Sequence, residues 1–278
     1  MFFLSREGVC YTIDINKNNR TSFMGISSSQ PAKVHGRGWE YGVAIVISAL
    51  FFVGLSVYLY YRRGYYDLYI ANKVFAGTSA ILLGIVLLLG PLSRAYDRFD
   101  RWLKYRKEIG IVAFVLALAH SIASFFFLPD HFSRARFFTS GLWPFVFGLT
   151  ALTIVCILWI LSHKNAVKIF GGKLWWFLQS WGVRIAFIAV ALHVGIMKFP
   201  GWVDWYQKGG SSRLVHPEWP GAGLLEGWFM AFVLLVRIAE IGKTKIVRFV
   251  IPCAFILLIV VYILTFWWGG VSMNTKGI

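Results

Sequence analysis

The stretch IGIVAFVLALAHSIASFFFLP, residues 109–129, contains no Asp, Glu, Lys or Arg and carries one histidine, His120, near its middle. About 20 apolar residues in a helix cover a hydrocarbon core of about 30 Å. The run therefore predicts a transmembrane helix. An imidazole at its centre is costly in lipid unless it has a partner or a ligand.

Working outward, four more charge-free runs reach that length: 41–61, 74–93, 137–163 and 249–275. Two further runs are interrupted. Arg184 and Lys198 fall in 174–199, and Glu226, Arg237 and Glu240 fall in 219–241. These charges sit near the run ends, where long side chains snorkel to the interface. Arg237 and Glu240, three residues apart, are expected to pair with each other. The expected fold is an all-α integral membrane bundle of six to seven transmembrane helices, the sixth run being the one that decides the number. Composition agrees, with 58% hydrophobic and 14% charged residues, where a soluble domain carries about a quarter charged. That excludes a soluble globular enzyme and a disordered chain.

The formal net charge is +16. The positive residues lie between apolar runs, so they orient the chain in an anionic membrane and do not point to nucleic acid. Arg94, Arg98, Arg101, Lys104, Arg106 and Lys107 lie between the second and third runs. With the fourth-to-fifth and sixth-to-seventh loops that side carries twelve cations against nine on the other. The positive-inside rule places the twelve, and the N-terminus, in the cytoplasm. Residues 1–40 are expected to form a cytoplasmic extension, since MFFL is too short for a signal peptide core. Residues 41–268 form the bundle, and 269–278 a tail. Trp39, Trp102, Trp175, Trp202 and Trp268 near run ends read as an interfacial belt. Ala76, Ala80 and Gly84 form a small-residue row for close helix packing.

Cys10, Cys156 and Cys253 have no CxxC spacing, which excludes attached c-type haem, a cysteine-held iron–sulfur cluster and a disulfide scaffold. No phosphate-loop, GxGxxG, GxSxG or HExxH motif occurs. Of the six histidines, only His120 and His193 lie well inside apolar helices. His120 is 12 residues above Glu108, and His193 is 12 above Trp181. At 1.5 Å per residue both stand after about 18 Å of rise. Their helices run in the same direction, so the two rings share one level in the outer half. Ala113, Ala117, His120 and Ser124 share one helical face, as do Gly182, Ala186, Ala189 and His193. Small residues below each histidine fit a flat macrocycle held between two imidazoles, with Ala117 and Ala189 beside it. The competing class is a haem-free polytopic protein, a transporter or assembly scaffold, in which the two histidines are packing hydrogen-bond partners.

RKEIGIVAFVLALAHSIASFF resembles the third helix of the ferric reductase-like transmembrane domain family, which includes eukaryotic ferric reductases, NADPH oxidases and a bacterial haem-binding membrane subunit. WWFLQSWGVRIAFIAVALHVG resembles its fifth helix, and LGPLSR, residues 89–94, is similar to the end of its second. The likeness covers about 70–241. It implies a haem b electron carrier in a bacterial inner or cell membrane, with His120 and His193 as the outer iron ligands. The inner ligand positions fall near Arg106 and at or beside Gln179, neither a histidine, so one haem is expected. Space toward the inner side would suit a bound flavin or quinone. Arg184 is a further cofactor-binding candidate, through a propionate or a flavin phosphate. Lys198, Arg134 and Arg136 are placed to meet outer propionates. The chain ends shortly after its last run, without the relatives' flavin and nicotinamide domains. Electrons are therefore expected from a separate flavoprotein or from quinol, and an acceptor is expected on the outer side.

Overall fold

Asp67 begins the second membrane helix by accepting a hydrogen bond from the Ile70 N–H at 2.8 Å, which satisfies one of the free donors of a helix start. Gly209 ends the fifth, at φ +78°, with its N–H returned to the Trp205 carbonyl at 2.9 Å. That left-handed turn suits a residue without Cβ. The computed structural model describes residues 5–6, 9–10, 38–163, 165–242 and 244–274.

The chain divides into two units, 1–39 and 40–278. In the first, β1 (Ser5–Arg6) pairs antiparallel with β2 (Val9–Cys10); the rest of the expected N-terminal extension up to 37 lies outside the described residues, as do 275–278 of the tail. The second unit is all-α. Its long helices are α1 (Gly38–Arg63), α2 (Leu68–Ala95), α3 (Arg106–Ile122), α5 (Leu142–Leu161), α7 (Gly172–Lys208), α8 (Ala222–Ala239) and α9 (Thr244–Asn274). The short helices α4 (Arg134–Phe137) and α6 (Ala166–Phe170) lie in connections. Among the described residues seven helical segments are long and apolar enough to cross a membrane, and the chain is an integral membrane protein.

The 219–241 run therefore forms its span. Its charges all have neighbours: Arg237 pairs with Glu240, as the spacing predicts, Arg94 of α2 joins the same carboxylate, and Glu226 lies within electrostatic reach of Lys198 and Lys73. The main difference in extent is α7. The apolar run stops at 199, yet the helix continues through Pro200 to Lys208. Its last turns are anchored to α9, where Trp268 Nε1 donates to the Tyr206 carbonyl at 3.2 Å.

Helix α2 is the centre of the bundle, packed by α3, α7, α8 and α9, with Leu82, Val86 and Leu87 buried. Lipid offers little hydrophobic drive between helices, so close approach and polar bonds hold them. Gly84, from the small-residue row, is such a contact: a Cβ there would lie 2.6 Å from Phe229 Cε1 of α8. Ser79 Oγ donates to the Ala113 carbonyl of α3 at 2.7 Å, and Tyr262 Oη to the Leu225 carbonyl at 3.0 Å. Each such bond contributes about 0.6 kcal/mol.

Helices alternate in direction, so two ends can be named. One, the histidine end, carries the 64–67, 128–141 and 209–221 connections. The other, the arginine end, carries Arg94, Arg106, Arg184 and Arg237.

Candidate functional site

Two imidazoles stand near the histidine end. His120 stands on α3 and His193 on α7, near enough to interact electrostatically. The two helices have no extended contact with each other; α2 and α5 each pack on both and frame the space between them.

Each ring is fixed by a hydrogen bond at Nδ1. His193 Nδ1 lies 2.6 Å from the Pro144 carbonyl of α5. A carbonyl only accepts, so Nδ1 carries the proton. His120 Nδ1 lies 2.9 Å from Asn72 Oδ1 and 3.2 Å from the Asn72 carbonyl, both on α2. The Asn72 backbone carbonyl only accepts, which puts the proton on His120 Nδ1, and the other end of the amide is engaged as well, Asn72 Nδ2 donating to Ser124 Oγ at 2.8 Å. Both histidines therefore hold the same tautomer, with Nδ1–H donated and the Nε2 lone pair free of any hydrogen bond among the described residues. That is the state in which imidazole binds a metal, and a second partner on Nδ1 is how metal-binding histidines are oriented.

Backbone and sequence conspire locally. A Cβ at Gly148 would lie 2.9 Å from His193 Nδ1 and 3.1 Å from its Cε1, so the ring occupies room that only glycine leaves. Past His120 the helix widens into one π turn, Ala123–Phe127, which carries Ser124; such turns often accompany functional sites. Asn72, Pro144 and Gly148 escape a reading of the histidines alone, because they sit on other helices. The one cue is Asn72, a buried amide at the histidine end of a span.

The other expected residues fall as follows. Ala117 is one turn below His120, and Ala189 is buried one turn below His193. The lower part of the α7 small face is used for packing: a Cβ on Gly182 would come 2.7 Å from Leu158 Cδ2 of α5. Arg184 is not beside the histidines. It lies at the arginine end, about 13 Å of helix rise below His193, with its guanidinium 4.9 Å from the Trp181 ring centre. Lys198 is close enough for both histidines to feel its charge, and Arg136 lies near it. Arg134 instead covers the Phe125 ring at 5.5 Å. Lys73, beside Asn72, lies inside α2, its ammonium 3.8 Å from the Tyr69 ring centre.

At the arginine end, Arg106 and Gln179 line one cavity of about 280 Å³ between α2, α3, α5 and α7. The Gln179 amide is already engaged, donating to the Leu158 carbonyl at 3.1 Å and to Ser162 Oγ at 3.3 Å. Among the described residues no group of three or more His, Cys, Asp or Glu converges to cage a bare metal ion. Two histidines suffice only for a metal that brings its other ligands with it, as a porphyrin does.

Residues 75–192 match the family model described as ferric reductase like transmembrane component. The match takes in most of α2, all of α3 and α5, and α7 up to the residue before His193; α8 and α9 lie beyond it. No curated protein matches the chain.

Proposed function

We propose that the ferric reductase-like transmembrane domain formed by residues 75–192, with His193 directly after it, holds one b-type haem between His120 and His193 and carries electrons across the membrane. Two free Nε2 lone pairs, each on a ring whose tautomer is locked by a partner on Nδ1, carry this reading. A haem held by these two residues would supply a one-electron ferric/ferrous couple inside the bilayer.

The chain's own residues do the rest. Asn72 and Pro144 hold the rings and raise their basicity through Nδ1. Gly148 makes room for the His193 ring. Lys198 and Lys73 are the cations that would meet the carboxylates of the bound group. The apolar helix faces exclude water, which keeps the site electrically sensitive to these few charges. Arg106 and Gln179 stand where a second, inner haem would need ligands, and neither is a usual one, so the stoichiometry is one.

The arginine end faces the cytoplasm in this reading, because the cation-rich loops lie there. Electrons enter there from a separate flavoprotein or from quinol and leave at the histidine end to an outer acceptor. The protein acts as the membrane component of an oxidoreductase, and needs its donor partner.

The purified full-length chain, expressed with haem supply, tests this by pyridine haemochrome assay. One haem per chain is expected, with a Soret band that shifts on dithionite reduction. His120→Ala and His193→Ala should each remove it without preventing membrane insertion. A value of zero favours the haem-free bundle, in which the same two hydrogen bonds only join α3 to α2 and α7 to α5. A value of two overturns the single-haem assignment.

A further inference from the structure

Arginines from four different helices converge at the arginine end: Arg94 of α2, Arg106 of α3, Arg184 of α7 and Arg237 of α8. Arg237 lies within electrostatic reach of the other three, and Arg106 of both Arg94 and Arg184. Glu240 is shared by Arg94 and Arg237, so it leaves Arg106 and Arg184 for other partners. The Arg184 Nε is buried with no hydrogen-bond partner among the described residues. Among the described residues the other acidic side chains at this end are Glu40, Asp97, Asp100 and Glu108, of which only Glu108 is buried, so two buried carboxylates, Glu240 and Glu108, stand against four guanidinium groups. Clustered guanidinium groups at a membrane boundary repel one another unless an anion sits among them.

The surroundings specify the anion. Arg106 and Lys107 border the cavity of about 280 Å³, whose walls are otherwise largely apolar, with Leu83, Val86, Val155 and Trp159 among them. A cationic rim over an apolar slot fits an amphiphile with an anionic head and a hydrocarbon tail. Next to it the 3₁₀ helix Asp97–Tyr105 carries Arg98, Arg101 and Lys104, with Leu103 exposed, as suits a segment lying on an anionic leaflet. Basic pockets between transmembrane helices take lipid phosphates in this manner, and the guanidinium fork matches a phosphate oxygen pair.

We propose that Arg106 and Arg184, with Arg94 and Arg237 beside them, bind the phosphate of an anionic phospholipid whose acyl chain enters the adjoining cavity. The site is separate from the histidines, so it stands or falls without the haem.

The test uses the full-length chain, delipidated in mild detergent, with and without haem. Native mass spectrometry counts retained lipid, and thermal unfolding is followed with added phosphatidylglycerol, phosphatidylcholine or inorganic phosphate. Phosphatidylglycerol should be retained and should raise Tm, while phosphatidylcholine does neither. Arg106→Gln with Arg184→Gln should weaken phosphatidylglycerol retention by about tenfold, and Lys168→Gln, an exposed cation at the same end, should not. Arg184→Gln alone, a milder change, should shift retention in the same direction if the pair fails to fold. Stabilisation by inorganic phosphate equal to that by phosphatidylglycerol would assign the same arginines to a soluble phosphate compound. Equal retention of the two lipids, or unchanged retention in both arginine variants, overturns the proposal.

Discussion

A methyl group at position 148 would press on the His193 ring from the side of its anchoring bond. In Gly148→Ala the new carbon would start 2.9 Å from Nδ1, 3.1 Å from Cε1 and 3.6 Å from Cγ. Carbon contacts are comfortable from about 3.5 Å, so the ring must retreat by about half an ångström. The retreat stretches a bond of 2.6 Å to the Pro144 carbonyl, whose net worth is about 1 kcal/mol. Loss of an outer partner of a ligating histidine costs about 10–100-fold in affinity, or about 1.4–2.7 kcal/mol. The fold should not suffer, because alanine is the better helix former by up to about 1 kcal/mol. Haem titration into the purified apoprotein, followed at the Soret band, reads the effect. Gly54→Ala on α1 is the control, since nothing lies within 4 Å of its new Cβ. The variant should bind haem about 10–100-fold more weakly than wild type and unfold at an equal or higher temperature. Unchanged affinity with an unchanged spectrum would show that His193 does not present its ring as described.

Asn72→Ala removes the nearer acceptor of His120 Nδ1 and the donor to Ser124, leaving the ring only the backbone carbonyl of position 72 at 3.2 Å; haem affinity should fall by up to about tenfold, and spectroelectrochemical titration should give a raised midpoint potential because the imidazole becomes a poorer electron donor. Glu240→Gln leaves Arg94 and Arg237 without their shared charge, so the purified protein should lose about 1–3 kcal/mol in a denaturant or thermal series, with its haem spectrum unaltered. His163→Ala, in the turn after α5 at the arginine end, should retain full haem occupancy by haemochrome assay; its loss would mean that the ligand pair is misassigned.

Much of the fold can be read from charge alone. Runs without Asp, Glu, Lys or Arg mark the spans because a charge in lipid is costly, and α2, α3 and α5 appear close to where those runs lie. The ends of α7 are not legible this way. Lys198 and Pro200 look like terminators, but the helix continues because Tyr206 and Trp205 are held by α9 and by the 210–221 connection. The depth of His120 and His193 follows from counting residues, since helical rise is constant. What fixes their rings does not follow. Asn72 lies 48 residues from His120, and Pro144 lies 49 from His193; which helix faces which is a property of packing. Gly182 shows the opposite case: its smallness reads as room for a macrocycle, whereas it serves contact with Leu158. A small residue in a membrane helix does not reveal from one sequence what fills the space it leaves.

Electron paramagnetic resonance of the oxidised, haem-loaded chain tests the central pairing most directly. Two neutral imidazoles bound through Nε2 should give a low-spin ferric signal, and replacing either His120 or His193 by alanine should abolish it or turn it high-spin. A high-spin wild-type signal, or a low-spin signal that survives in either variant, would contradict the claim that these two residues share one iron.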